Sequence, residues 1–272
     1  MNQIKRLHDQ HLHTKYSLDS KEEIVNYYQL ASSIECSYFV TTDHIEFDSV
    51  FNNQDWTVDF ESLKNDLFVL NKQYPNVTPL LGVEIGYRKD HIDDMIQLIN
   101  SQNFDLINMS IHDNGVYDYY MKKDYLEVGI DKMLDIYFNN IIDGVHTFKN
   151  YDVLSHVDYG FKTAYTLDST LKIEKYESYL KEIFEVIVQD DKVLEINFKV
   201  QDTINDIEHL KTLLKMYKKY GGKKLSFSSD AHFYNQLNNY YLEQDKYFQL
   251  IKDCGFDKLY YFVNRKQCEF KI

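Results

Sequence analysis

Six of the ten histidines stand at the C-terminal edges of short apolar runs, each inside a polar cluster: His11, His13, His44, His112, His156 and His232. Carboxylates accompany them at Asp19, Asp43, Glu84, Glu195 and Asp230. Imidazole nitrogens and carboxylate oxygens are ligands of zinc, iron and manganese, so the chemistry within reach is metal-assisted hydrolysis. In Asp9-Gln10-His11-Leu12-His13 the rings are spaced i, i+2, and in an extended segment such positions project from one face toward a single cation. Taken alone, a histidine is more often a hydrogen-bonded packing residue, and Glu84 reads equally well as a solvated turn carboxylate. The weight lies in repetition. Thr41-Thr42-Asp43-His44, Gly82-Val83-Glu84-Ile85-Gly86, Ser110-Ile111-His112, Ser155-His156-Val157-Asp158, Glu195-Ile196-Asn197 and Ser229-Asp230-Ala231-His232 each end an apolar run in a candidate ligand. A multinuclear metal site requires that arrangement, whereas a purely structural sheet has no use for it. The glycines flanking Glu84 read as residues that permit tight turns at a strand exit.

The elements that must position these groups are short strands and amphipathic helices in alternation. Strands are expected over residues 5–11, 38–42, 78–83, 104–111, 152–156, 193–197, 225–228 and 259–263. The clearest helix covers 171–189, with Ile173, Tyr176, Leu180, Ile183, Phe184 and Ile187 on one face. Residues 130–145 repeat the pattern, and so do 207–217, with a stop at Gly221-Gly222. With no linker, repeat or low-complexity tract, this succession predicts one α/β domain over 1–272, a single TIM-like (β/α) barrel; a doubly wound open sheet is the competing architecture. Residues 46–59 and 114–129 read as long polar, aromatic loops after strands, either walls of an active-site face or plain surface insertions.

Composition narrows the function. Forty-three acidic against 30 basic residues leave a formal charge of −13, and the only arginines are Arg6, Arg88 and Arg265. No basic stripe exists to neutralise a phosphate backbone, so a nucleic-acid partner is disfavoured. No apolar run approaches the roughly 18 residues of a membrane span. The three cysteines, Cys36, Cys254 and Cys268, lie far apart, which fits a reducing cytoplasm. No cysteine-arginine phosphatase loop, serine nucleophile elbow or Gly-rich nucleotide cradle occurs, so covalent and ATP-dependent mechanisms lack residues to run on.

In their order, His-x-His, Thr-Asp-His, Gly-x-Glu-x-Gly, Ser-x-His, Ser-His-x-Asp, Leu-Glu-Ile-Asn and Ser-Asp-x-His, the motifs resemble the polymerase and histidinol phosphatase (PHP) family of metal-dependent phosphoesterases. The resemblance is greatest to its stand-alone histidinol-phosphate phosphatase branch and covers essentially the whole chain. It implies a distorted (β/α)7 barrel holding two to three divalent ions of zinc, iron or manganese. By motif, one metal takes His11, His13, Glu84 and Asp230; a second takes Glu84 as a bridge with His112 and His156; a third takes Asp19, His44 and His232. Asp19 rests only on its offset after the opening motif and reads also as a loop residue, like Ser17. Glu84, Asp230 and His232 are the residues expected to carry catalysis.

The implied reaction is hydrolysis of a small phosphorylated metabolite, L-histidinol phosphate to L-histidinol and phosphate, by a metal-activated hydroxide in a cytoplasmic enzyme of histidine biosynthesis. One departure stands out. The branch is expected to grip phosphate with arginines after the Ser-His-x-Asp and Leu-Glu-Ile-Asn segments, where this chain has Lys162 and Lys199. Lysine keeps the charge and loses the bidentate fork. Both are therefore substrate-binding candidates, and the alternatives are solvated surface lysines or a different phosphate ester: nucleotide, sugar phosphate or phosphotyrosine. A non-catalytic metal-binding regulatory module is the rival of another class. The oligomeric state is open. His8, His91, His146 and His209 read as packing or surface residues, and Trp56 as a cover for substrate or for its own loop.

Overall fold

The computed structural model describes residues 5–272. Among the described residues there are ten strands: β1 (Tyr38–Thr41), β2 (His44–Ser49), β3 (Gln54–Trp56), β4 (Thr78–Gly86), β5 (Leu106–Ser110), β6 (Val153–Leu154), β7 (Val193–Asn197), β8 (Leu225–Ser228), β9 (Lys258–Val263) and β10 (Lys266–Lys271). The described residues also form ten α-helices: α1 (Ile24–Ser33), α2 (Phe60–Gln73), α3 (Ile92–Ser101), α4 (Lys122–Val128), α5 (Ile130–Thr147), α6 (Tyr159–Leu167), α7 (Glu177–Gln189), α8 (Phe198–Ile204), α9 (Ile207–Lys219) and α10 (Tyr234–Asp253). The result is an α/β fold with a mostly parallel sheet, ordered β3-β2-β4-β5-β6-β7-β8. β4 is long enough to pair with β1 along its first half and β2 along its second, so that β1 and β2 act as one strand broken at Thr42-Asp43. Register sets His44 beside Glu84 and Glu84 beside Asn108. One strand exit thus brings its polar residue next to the following one.

The helices form where their apolar stripes can cover this sheet. Asn197 and Asp206 accept from Val200 N and Glu208 N, capping α8 and α9. α9 stops at Gly221, whose φ of 91° is left-handed backbone that favours glycine. The expected helix at 171–189 forms as a 3₁₀ turn (Ile173–Tyr176) running into α7. Two expected loops contain structure. Residues 46–59 hold the antiparallel β2-β3 ribbon, and 114–129 hold a turn closed by an Asp113–Asp118 bridge, followed by α4.

Two strand expectations are corrected. Residues 5–11 form no strand: Leu12 makes a single bridge to Ala231, and the Asp9 carboxylate, accepting from His11 N (3.2 Å) and Ser229 N (2.8 Å), takes the place of a ladder. Backbone bonds nonetheless tie the segment on both sides, His13 N to Ala231 O at 2.8 Å and Thr42 N to Leu12 O at 3.0 Å. β9 does not join the parallel sheet. Asn264 (φ 51°) and Arg265 (φ 60°) turn the chain in a two-residue hairpin, and β9 pairs antiparallel with β10. This hairpin covers the N-terminal end of the parallel strands, where Tyr260 and Phe262 pack on Val40, Leu80, Leu106, Val153 and Val193.

His8 lies at that end, buried between Tyr38 and Tyr261 (ring centroids 5.2 Å from each) with neither ring nitrogen hydrogen-bonded. Burial pushes its pKa down to about 3. Below the ordinary value of 6.5 the unfolded chain takes up a proton that the folded chain refuses, so the protein loses stability as the pH is lowered through this window. His8→Phe should flatten the slope by about 1.4 kcal/mol per pH unit, measured by denaturant unfolding between about pH 6 and pH 4. An unaltered slope would mean that His8 is solvated.

Candidate metal centre

The strand ends and the opening segment gather His11, His13, His44, Glu84, His112, His156, Asp230 and His232 into one cluster, with Asp19 reaching in from the loop before α1. Glu84, fully buried on β4, is its centre. Its Oε2 lies 3.1 Å from His11 Nε2, 3.4 Å from His13 Nε2 and 3.0 Å from His44 Nδ1. Its Oε1 lies 2.9 Å from His156 Nε2 and 3.5 Å from His112 Nε2. Asp230 Oδ1 is 3.3 Å from His13 Nε2, and Asp19 Oδ2 is 2.8 Å from His232 Nε2 and 3.6 Å from His44 Nε2. His156 (φ 23°) and Asp230 (φ 54°) are held in left-handed backbone, a strain typical of residues aimed by the fold.

The donor set fits divalent cations on a direct observation. His11 Nε2, His13 Nε2, His44 Nδ1 and Glu84 Oε2 are buried atoms with no hydrogen-bond partner, yet they converge. Buried polar atoms are normally satisfied, and a cation satisfies lone pairs that hydrogen bonds cannot. Each of three groupings places its ligand atoms within 4.8 Å of one another: Glu84, His112 and His156; His11, His13 and Asp230; and His13, Asp19, His44 and His232.

Three of the other ring nitrogens are held by protein. His11 Nδ1 meets Glu195 Oε1 at 2.7 Å, His112 Nδ1 meets Glu46 Oε1 at 2.6 Å, and His13 Nδ1 meets Ser17 Oγ at 3.2 Å. Such partners fix the tautomer and turn the opposite nitrogen toward a metal. Electrostatics carry the same signature. Burial opposes the His11 cation, but Glu84 and Glu195 outweigh it and hold its pKa well above the usual range; Glu84 and Asp19 do the same for His44. Burial opposes the Glu84 anion too, and His11, His44 and His112 outweigh it. His13 is instead kept neutral by burial and by the neighbouring His44 and His232. The protein by itself thus fills a charge deficit with imidazolium protons.

Asp43, which stands beside His44 in sequence, is no part of the cluster; it accepts from Thr14 N (2.6 Å) and Ser17 Oγ (3.1 Å) and shapes the opening loop. Glu46 is the residue that the motif reading missed. It follows His44 by two positions on β2, the same i, i+2 rule that flagged His11 and His13. The glycines at 82 and 86 also differ from expectation. Both lie inside β4 and serve close approach instead of turns: a Cβ on Gly86 would stand 1.7 Å from Glu46 Oε2, and one on Gly82 would stand 2.7 Å from Thr41 O. Glu46→Gln, or Gly86→Ala acting by displacement, should weaken metal binding about 10- to 100-fold, read by chelator competition. Unchanged affinity in both variants would reduce Glu46 to a packing residue.

A cavity of about 390 Å³ opens above this floor, with Asp19, His44, His112, Asp230 and His232 at its base. Lys162 and Lys199 line it from α6 and α8. Lys199 Nζ lies 3.4 Å from Asp230 Oδ1 and 3.1 Å from His232 Nδ1. Lys162 is 5% exposed, stacks over Tyr159 at 4.0 Å and has no carboxylate within ion-pair distance among the described residues. Trp56 donates from Nε1 to Asn52 Oδ1 in its own loop, and its ring meets that of His44 in a T-shaped contact in the cavity wall. The four background histidines lie outside. His209 pairs with Asp158 at 2.8 Å under α6, His91 with Asp48 and Asp94, and His146 with Glu182.

The PHP domain pattern matches residues 9–199, from Asp9, two residues before the His-x-His motif, through Lys199. This chain belongs to the PHP family. It is 26% identical over 260 residues to a histidinol-phosphatase of Lactococcus lactis, covering 95% of both chains. It is also 26% identical over 229 residues to a probable histidinol-phosphatase of Clostridium acetobutylicum, covering 84% of this chain and 88% of that one. The crystal structure of the Lactococcus lactis histidinol phosphate phosphatase, complexed with zinc, L-histidinol and phosphate, superposes with a TM-score of 0.85 at 25% identity, covering 96% of this chain and 98% of that one.

Proposed function

We propose that this chain is a metal-dependent phosphatase that converts L-histidinol phosphate to L-histidinol and phosphate. The observation that carries the reading is the convergence of partnerless His11, His13, His44 and Glu84 atoms beneath a cavity lined by two lysines. The match over 95% of the chain to a histidinol-phosphatase points to the substrate. His11, His13, Glu84 and Asp230, then Glu84, His112 and His156, then Asp19, His44 and His232 would hold two to three ions of zinc, iron or manganese. Bound there, such ions neutralise phosphoryl oxygens and acidify a water for in-line attack.

The protein's own groups do the rest. Glu195 and Glu46 hold His11 and His112 in one tautomer. Lys199, beside Asp230 and His232, meets the phosphate at the base of the cavity, and Lys162 meets it from the Tyr159 side. Glu84, Asp230 and His232 are the catalytic ligands around which substrate is placed. No side chain needs to act as a nucleophile.

The reading includes one distorted (β/α)7 barrel over 1–272. It is supported by the bonds from residues 11–13 to both Ala231 and Thr42, and by the layer to which β1, β4, β5, β6 and β7 each give one residue. It places the enzyme in the cytoplasm without nucleic-acid or membrane partners, in keeping with a charge of −13, three unpaired cysteines and no helix among the described residues long and apolar enough to cross a membrane. The test is phosphate release by the metal-reconstituted chain from L-histidinol phosphate, nucleotides, sugar phosphates, phosphotyrosine and single-stranded DNA. L-histidinol phosphate should give the highest kcat/KM. Faster turnover of another ester or of DNA would reject the substrate, and no release from any would favour a regulatory module.

A further inference from the structure

Beyond the metal cluster and the two lysines, the cavity is lined by the aromatic residues Phe51, Trp56, Tyr120, Tyr159 and Phe233, and by two further carboxyl groups, Asp113 and Asp118. The two aspartates are not equivalent. Asp113 is neutralised by Arg88 at 2.9 Å and also accepts from Val50 N and Gly115 N. Asp118, 7% exposed, accepts one bond, from Tyr120 N at 2.8 Å, and no Lys, Arg or His of the described residues lies within ion-pair distance. Burial pushes this carboxyl up to about 6.

A buried carboxylate without a counter-ion is costly unless something else supplies the charge. Tyr159 and Tyr120 already carry the Lys162 ammonium over their rings, at 4.0 and 5.8 Å, and Trp56 in the same lining offers a further aromatic surface suited to a positive group. We propose that Asp118 is a specificity-determining residue that binds a cationic group, an ammonium or imidazolium, on the leaving alcohol of the phosphate ester. This rests on the phosphatase reading above and adds to it a division of the cavity, with lysines and the metal ligands for the phosphate and Asp118 with its aromatic neighbours for the cation. The preference is for esters of amino alcohols over neutral alcohols of the same size.

The inference is tested with the metal-loaded full chain on pairs of esters similar in shape and leaving group and differing in charge: tyramine phosphate against 4-ethylphenyl phosphate, and L-histidinol phosphate against 3-phenylpropyl phosphate. The wild type should favour the cationic member. Asp118→Asn, which keeps an acceptor for Tyr120 N, should lose about 10- to 100-fold in kcat/KM on cationic esters and stay within about threefold on neutral ones, with unchanged metal content. An unaltered cationic-to-neutral ratio overturns the assignment, whichever ester is best. If the ratio collapses in the variant while L-histidinol phosphate proves a poor substrate, Asp118 stands and the named substrate falls. Should the variant not fold, inhibition of the wild type decides: L-histidinol must bind at least tenfold tighter than a neutral alcohol of its size, and equal binding rejects the proposal.

Discussion

Glu84→Gln is expected to lower kcat/KM by at least about a thousandfold, some 4 kcal/mol of lost charge stabilisation, and to lower metal content with it. The reason is positional. Both Glu84 oxygens face ring nitrogens, Oε2 toward His11, His13 and His44 and Oε1 toward His156 and His112, so one charge is shared by two prospective cation positions. The amide keeps the shape, removes the charge and aims an N–H group at those lone pairs. Elemental analysis of the reconstituted variant checks this separately from kinetics. Full metal occupancy in Glu84→Gln would show that Glu84 is not the bridge.

Lys162→Met should make the protein more stable and less active. Burial, with repulsion from Lys199, pushes the Lys162 ammonium down to about 8, below the ordinary 10.5. Below about pH 8 both folded and unfolded chains hold the proton, and the folded state carries the full cost of a buried cation. Between there and the ordinary pKa the unfolded chain binds more protons, so that wild-type stability rises with pH as the cost is relieved. Replacing the ammonium by an apolar side chain of similar length should therefore add about 1 to 3 kcal/mol at pH 7, and the advantage should shrink toward pH 10. A phosphate is the counter-ion that the ammonium lacks. The same variant should lose about ten- to a hundredfold in kcat/KM, with raised KM and normal metal content. Denaturant unfolding at the two pH values and steady-state kinetics measure both sides. A destabilised variant, or one with wild-type kinetics, would make Lys162 a structural residue.

How far the sequence reaches differs between floor and walls. Part of the cluster was legible because the candidate ligand stands in or just after an apolar run that does form a strand: His112 follows β5, Glu84 sits in β4 and Asp230 follows β8. β7 and β8 match their expected bounds because short, wholly buried runs have few alternative registers. The opening segment read as a strand because its polar residues alternate, but the Asp9 and Thr42 side chains take over bonds that a ladder would make. Glu46 escaped because motif reading stopped at His44, and its tie to His112 crosses 66 residues of chain. Asp118 carries no local signal at all. Its standing comes from the burial of a turn and from Arg88 lying on Asp113 instead, facts of tertiary packing that no spacing encodes.

The central claim, that the gathered histidines and carboxylates bind divalent cations in order to hydrolyse a phosphomonoester, is tested most directly by metal titration. The chelated full chain is titrated with Mn²⁺ or Zn²⁺ while phosphate release from L-histidinol phosphate is followed. Activity near zero without metal, rising to a plateau as two to three equivalents bind, is the predicted result. Phosphate release that persists without metal, or a chain that binds less than one equivalent, would contradict it.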